Sequence, residues 1–227
     1  MSISVGSYTF NTRTTVVREQ YELVGGKQTR AIRITGLLRG AADEAALIAA
    51  LDGITEAVSA ASPVAVSLRP GRRMLARREG FSREVNGQTL TGQFVLDLRA
   101  ETAWEESAAL HEDVWNIGLS GATFDVNHAG NAMVDPAIAL AAEDLLILPS
   151  VSDGTRTLTY EGTVSTGSTL LIDGVVREVR LDGSDVTPYT SGEFPLLAPG
   201  ETTLTYTDDP GSSHLVTAQI AFRDRWW

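Results

Sequence analysis

The second half of the chain is a series of short apolar segments separated by turn residues at roughly ten-residue intervals. From Thr123 to the end, Gly, Pro, Asp and Ser stand between these segments. This spacing is typical of an antiparallel β-sandwich or jelly roll, because each strand crosses its sheet once and then turns back. Asp173-Gly174 lies between two apolar segments and predicts a tight hairpin turn, since these residues tolerate positive φ angles. Asp182-Gly183 predicts a second turn.

The first half alternates strand-like segments with one helix. A helix is predicted from about Asp43 to Ala60, and its apolar residues recur at helical spacing, namely Leu47, Leu51, Ile54 and Val58. Such a helix packs on a sheet or, alternatively, presents an exposed face to a partner. The strands predicted around it are Thr14–Leu23, Ala31–Leu38, Val64–Leu68, Met74–Glu79 and Gln88–Leu98. This pattern predicts a mainly β chain whose first domain is a small α+β or β-barrel-like fold.

Charge and composition exclude several classes of protein. The net charge is −11, and residues 120–227 hold 5 basic against 15 acidic residues, while residues 1–119 are nearly balanced. Such an acidic half argues against general binding to nucleic-acid phosphates. Cysteine is absent, which excludes disulfides and thiolate metal sites. The apolar runs are too short for a membrane span, and the first residues lack the pattern of a signal peptide, so synthesis in the cytoplasm is expected.

Residues that could carry chemistry do not form a recognisable site. The three histidines are scattered without ligand spacing, so no metal or other cofactor is predicted. The acidic pairs Glu105-Glu106 and Glu112-Asp113 lie in polar segments and are expected to be solvated, which disfavours an acid–base pair for sugar hydrolysis. Asp208-Asp209 predicts a β-turn and not a calcium loop. We therefore expect no enzymatic activity.

Several segments of the second half resemble, in order, the distal tail proteins (Dit) of long-tailed, siphovirus-type bacteriophages. They are Asn127 to Leu140 with its Gly130-Asn131 pair, Gly167 to Asp173, Val179 to Gly183, Phe194 to Gly200, Thr203 to Tyr206 and the aromatic C-terminus. The first half resembles the family's ring-forming domain more weakly, through Gly36 to Gly40, the helix and Leu90 to Leu98. An Asp-Pro pair that the family usually has near Trp104 is missing.

The resemblance implies a structural virion protein of the tail tip. Residues 1–100 would form the ring domain, 101–122 a connector, and 123–227 a galectin-like antiparallel β-sandwich. A homo-hexamer would continue the tube and let genomic DNA pass without specific binding. Its partners would be the tail tube protein and the tail-tip hub or tail fibre proteins. The alternatives are a carbohydrate-binding tail module, another tail-tip or tube protein with the same domains, and a tail-associated cell-wall hydrolase.

Two groups of residues are candidates for interfaces. The first is a basic segment, Arg69, Arg72, Arg73, Arg77, Arg78 and Arg83. It is either a solvated hairpin or a patch that complements an acidic neighbour in a ring, where two different surfaces of one chain must meet. The second is the terminal pair Trp226-Trp227, which either packs against the sandwich or anchors a partner.

Overall fold

The computed structural model describes residues 3–59 and 63–227 and divides them into two compact units. The first unit extends to Ala108 and includes Trp227, and the second comprises Ala109–Trp226. Both are built from antiparallel sheets, and the described residues contain one α-helix, which confirms the predicted mainly β fold. The predicted connector, residues 101–122, contains two strands, Glu105–Ser107 and His111–Ile117, and its role as a connector stays a prediction.

The described residues of the first unit form eight strands. They are β1 (Ile3–Val5), β2 (Tyr8–Phe10), β3 (Thr15–Val24), β4 (Lys27–Leu38), β5 (Val64–Ser67), β6 (Arg72–Asn86), β7 (Thr91–Ala100) and β8 (Glu105–Ser107). The sheet order is β2-β1-β5-β6-β7-β4-β3, and β8 pairs with the start of β6. The four long strands β6, β7, β4 and β3 are successive antiparallel neighbours, so β3 is an edge strand.

The helix α1 (Glu44–Ala57) covers the apolar face of this sheet. The carboxylate of Asp43 caps it by accepting the backbone N–H of Ala46 at 2.8 Å. Its buried residues are Leu47, Leu51 and Ile54, as the periodicity predicts, and they face a core that includes Ile32, Ile34, Leu96 and Leu98. The helix therefore packs on the sheet. The predicted end at Ala60 lies outside the described residues.

The second unit contains fourteen strands. They are β9 (His111–Ile117), β10 (Thr123–His128), β11 (Ala137–Ala142), β12 (Leu146–Ile147), β13 (Ser150–Ser152), β14 (Thr157–Tyr160), β15 (Thr163–Val164), β16 (Thr169–Asp173), β17 (Glu178–Leu181), β18 (Ser184–Asp185), β19 (Thr190–Gly192), β20 (Gly200–Thr207), β21 (Val216–Phe222) and β22 (Arg225–Trp226), with a 3₁₀ turn at Thr187–Tyr189.

Two sheets of the second unit enclose one core. One has the order β10-β20-β13-β14-β19 and the other β18-β17-β16-β11-β21-β9, while β12 and β15 form a separate pair. Inward residues alternate along the strands, as in β21, where Val216, Ala218 and Ile220 are buried. Two facing antiparallel sheets agree with the predicted sandwich, and its galectin-like character stays a prediction.

The two predicted turns of the second unit differ in outcome. Asp182-Gly183 makes a two-residue turn with both φ angles positive, 49° and 84°. The turn after Asp173 is longer, because strand pairing resumes only at Glu178. The Asp173 carboxylate accepts the N–H groups of Val175 and Val176, at 3.0 and 3.3 Å, and so holds both valines in the loop. The hairpin predicted after Asp173 is therefore present, but its turn spans residues 174–177 and is longer than the tight turn predicted at Asp173-Gly174.

No helix among the described residues has the length and apolar character needed to cross a bilayer.

Candidate functional site

Most of the predicted basic segment lies on β6, and Arg69 precedes that strand. The Arg69 guanidinium bridges two carboxylates, at 3.0 Å from Glu19 Oε1 and 2.5 Å from Glu105 Oε1. Arg72 lies 3.6 Å from the other oxygen of Glu105. Burial lowers the pKa of Arg69, but the hydrogen bonds that Arg69 donates to Glu105 and Glu19 outweigh this effect, so that the pKa is raised. These two arginines therefore belong to an internal ion network.

The centre of that network is Arg30 on β4. Its side chain is 1% exposed and contacts Glu19 at 2.9 Å and Glu105 at 3.6 Å. It also donates to the Tyr21 hydroxyl at 2.8 Å and to the Ala103 carbonyl at 2.5 Å. Three guanidinium groups thus share two carboxylates where β3, β4, β6 and β8 meet. The prediction that Glu105 is solvated is wrong, because the alternation of β8 turns this side chain inward towards Arg30.

The other basic residues of β6 are more exposed. Arg77 pairs with Glu101 at 3.0 Å, and Arg83 pairs with Asp52 on α1. Within the described ranges, no carboxylate lies at ion-pair distance from Arg73 or Arg78. Four of the six predicted residues are thus already compensated inside the first unit. An interface role for the segment stays a prediction, and Arg78 is its most available cation.

The face of the long sheet opposite α1 is exposed and charged. Arg33 holds Asp97 with two hydrogen bonds, of 2.6 and 3.1 Å. Arg99 joins Glu22, at 2.6 Å, and Glu79. The hydrogen bonds that Arg33 and Arg99 donate to these carboxylates raise the pKa of both arginines. A groove of about 780 Å³ runs over these pairs. This face is therefore polar and nearly balanced in charge.

The free edge of the same sheet is formed by β3. It pairs with β4 over its whole length, and no other described strand pairs with it. Large apolar side chains on this edge are exposed, with Val16 at 56% and Leu23 at 75%. A long, exposed, apolar edge is a natural template for adding another strand. Sequence reasoning missed this surface, since alternation alone does not show which strand ends a sheet.

The terminal tryptophans have different environments. Trp226 is half-buried. Trp227 groups with the first unit, where its ring packs edge-on against Trp104 at 5.6 Å between centroids. Its exposed fraction is 56%. Trp227 thus packs against Trp104, and both predicted roles of the terminal pair, packing against the sandwich and anchoring a partner, stay predictions.

Two of the three histidines converge on Asp224 in the second unit. His111 Nε2 lies 2.9 Å from Asp224 Oδ2, and His128 Nδ1 lies 3.0 Å from Oδ1. Oδ1 also accepts the Ala129 N–H at 2.9 Å. Burial raises the pKa of Asp224, but the hydrogen bonds from His128 and Ala129 and the neighbouring His111 outweigh it, so that this pKa is lowered. The cluster fixes the segment after β21 to the loop after β10.

Gly130 makes this attachment possible. A Cβ at this position would lie 2.0 Å from the Arg225 carbonyl oxygen. That oxygen accepts the N–H groups of Asn131 and Ala132, at 2.9 and 3.1 Å. Gly130-Asn131 is the pair quoted above for the family resemblance, and its role is to receive the chain's last strand. No group of three or more His, Cys, Asp or Glu residues in the described parts of the chain is arranged to hold a metal ion.

The tyrosines of the second unit, Tyr160, Tyr189 and Tyr206, are the candidate residues for the carbohydrate-binding alternative, because sugar sites use exposed aromatic side chains. Tyr206 is fully buried, and its hydroxyl donates to Asp208 at 3.0 Å. Tyr160 packs against the core, whereas Tyr189 is 64% exposed. The three therefore form no exposed aromatic group. Asp209 accepts the Gly211 N–H at 2.8 Å in a turn, as predicted for Asp208-Asp209.

Comparison with known proteins identifies the relationship. Residues 129–226 match the family model described as "Siphovirus-type tail component, C-terminal domain". No curated protein sequence matches the chain. Among solved structures, that of SPP1 Dit (gp 19.1) superposes with a TM-score of 0.70 at 13% sequence identity, covering 100% of this chain and 99% of that one. Its title describes it as a paradigm of the hub adsorption apparatus in phages that infect Gram-positive bacteria.

These findings confirm the resemblance. Residues 129–226 match the siphovirus-type tail component family model, and the whole chain has the fold of SPP1 Dit.

Proposed function

We propose that this chain is the distal tail protein of a siphovirus-type phage, located in the virion at the tip of the tail. Its first unit forms a ring that joins the tail tube to the tail-tip complex and leaves a channel for DNA. The family of the second unit and the fold shared with a hub protein support this role. The role is structural, and we assign no catalytic step to it.

The observation that carries the proposal is the sheet of four long antiparallel strands, β6-β7-β4-β3. Because the number of strands is even, the first and last strands run in opposite directions. Copies related by rotation about an axis along the strands then bring β3 of one copy beside β6 of the next in antiparallel orientation. From Arg77 to Asn86 the outer edge of β6 pairs with no other described strand. Both edges are thus available for a closed, head-to-tail ring.

The two faces of this sheet suit the wall of a channel. One face is apolar and covered by α1, while the other is exposed and carries the ion pairs Arg33–Asp97 and Arg99–Glu22. Paired charges give little net positive potential, so such a wall would not retain phosphates. The number of copies, six, comes from the family resemblance.

The test is the mass and shape of the purified full-length protein, alone and with the tail tube protein, by mass photometry and negative-stain imaging. Six copies of the 24.3-kDa chain weigh about 146 kDa, and a ring of this mass with an open centre is expected. The edge variant V16K/L23K should lose the ring and keep its unfolding midpoint, because charged side chains block edge pairing. V176K is the control, since Val176 is 56% exposed in the second unit.

Two results would overturn the proposal. One is a monomer both with and without the tube protein, and the other is an intact ring in V16K/L23K. The carbohydrate-binding alternative has less support, because sugar sites need grouped exposed aromatics and only Tyr189 among the three candidate tyrosines is exposed. A glycan array with no signal would count against that alternative as well.

A further inference from the structure

The two sheets of the second unit each have one short and one long edge strand. The short edges are β18, with 2 residues, and β19, with 3. The long edges are β9, with 7 residues, and β10, with 6. Short edge strands protect a sheet from unwanted pairing. The unit is therefore protected at β18 and β19 and open at β9 and β10.

The two open edges lie on the same side of the sandwich. Residues 118–122 connect β9 directly to β10. The rings of Trp115 on β9 and Phe124 on β10 stack with centroids 5.8 Å apart and an interplanar angle of 22°. Trp115 is 5% exposed. This aromatic contact packs β9 against β10 on the open side of the sandwich.

Strand β9 lacks three of the features that usually block an edge, namely a bulge, a lysine and a proline. All seven of its residues pair with β21 in continuous register, from His111↔Phe222 to Ile117↔Val216, without a bulge. No other strand of the described chain pairs with β9. It contains no Lys and no Pro, and its central outward residue, Val114, is 60% exposed. Its outer backbone groups are thus available to a further strand.

The open side formed by β9 and β10 carries acidic residues, which favour a positively charged partner. Glu112 and Asp113 lie on β9, and Asp125 lies outward on β10. Within the described residues none of the three has an arginine or lysine at ion-pair distance. The surrounding residues 120–227 are strongly acidic. Complementary charge on the partner would fix its register and orientation.

We propose that β9 is a strand-acceptor edge, which binds an extended segment of a partner protein carrying Lys or Arg at alternate positions. Main-chain hydrogen bonds to β9 would supply affinity. Alternate side chains would lie beside Glu112 and Val114 on the outer face, where cations meet the carboxylate. A second copy of this chain is a poorer occupant, because its β9 would add two more carboxylates instead of neutralising them.

This inference depends on the second unit alone and not on ring formation. The test uses the full-length protein and a soluble peptide of alternating lysine and threonine, eight residues long. Titration calorimetry measures binding, and amide hydrogen exchange locates it. The control peptides have glutamate in place of lysine, or N-methyl groups on alternate backbone nitrogens. The protein variants are E112Q/D113N, which keeps shape and removes charge, and V114K, which places a charge on the edge.

The lysine peptide should bind and protect amides of residues 111–117 from exchange. Its affinity should fall about tenfold in E112Q/D113N and at least as much in V114K, with V176K unchanged. Neither control peptide should bind. Any one of three results overturns the proposal. The first is that the lysine peptide does not bind up to about 1 mM, and the second is that the N-methylated peptide binds as tightly as the lysine peptide. The third is that the protein forms a dimer that V114K abolishes.

Discussion

Removing the Glu105 carboxylate tests the ion network of the first unit most directly. The Glu105 side chain is 3% exposed and faces Arg30, which is 1% exposed, and both Arg69 and Arg72. In the variant E105A the guanidinium groups of Arg30 and Arg69 share one carboxylate, Glu19, where they had shared two. Arg30 cannot turn to solvent, since the Tyr21 hydroxyl and the Ala103 carbonyl hold its Nη2.

The magnitude follows from the burial of the pair. Breaking a buried ion pair by removing one partner costs about 3–5 kcal/mol, because the other charge stays buried without compensation. An exposed pair contributes about 0–1 kcal/mol. The matched control is E101A, which removes the pair between Arg77 and Glu101, whose side chains are 60% and 41% exposed. We therefore expect E105A to cost at least about three times as much as E101A.

The assay is urea unfolding of the full-length protein, followed by circular dichroism and extrapolated to the free energy of unfolding. Because a domain's total stability is about 5–15 kcal/mol, E105A can leave the first unit largely unfolded. The variant E105Q keeps the volume and an acceptor oxygen, and it should lose less than E105A. If E105A and E101A differ by less than about 0.5 kcal/mol, the network does not stabilise the fold as argued here.

Three further substitutions test other parts of the fold. In the folded protein the pKa of Asp224 lies below 3.8, its usual value in an unfolded chain. The Asp224 carboxylate therefore stabilises the second unit fully at pH values above 3.8, and this stabilisation is lost as the pH falls through the folded-state pKa. In thermal melts at acid pH, D224N should remove the part of the pH dependence of the melting temperature that Asp224 contributes. G130A should lower the free energy of unfolding by about 1–3 kcal/mol, because its Cβ clashes with the Arg225 carbonyl. G118A is the control and should be near neutral in urea unfolding, since nothing lies within 4 Å of its Cβ. L51A on α1 should cost about 2–5 kcal/mol as a core cavity, and I48A, at a 37% exposed position on the same helix, much less by the same measurement.

Local patterns in the sequence predict the elements well. The spacing of Leu47, Leu51 and Ile54 predicts both the helix and the face that it buries. The strands of the second half follow from short apolar segments and the turn residues between them. Where a local prediction fails, a side chain is the cause. Asp173 ties down the next two N–H groups, which lengthens the turn and leaves Val175 and Val176 exposed.

Contacts over long sequence separation were beyond local reasoning. His111 and His128 reach Asp224 across 113 and 96 residues, and no spacing rule links them. The burial of Glu105 depends on Arg30 and Arg69, which come from other strands. A polar segment with two adjacent glutamates therefore suggests solvation, although one of the two is an internal counter-ion.

The position of a strand within its sheet is the property that matters most for an assembly protein, and it is the least visible in the sequence. Strands β3 and β9 each mix apolar and polar residues, as many half-buried strands do. Only the sheet order shows that each has one unpaired edge in the described chain. In the proposed ring, the even number of long strands lets β3 pair in antiparallel orientation with β6 of a second copy. The carboxylates of β9 instead favour a cationic partner of another kind. Ring closure and the docking of a peripheral partner can therefore both use an unpaired strand edge. The two interactions remain separate because the edges of β3 and β9 differ in side-chain chemistry.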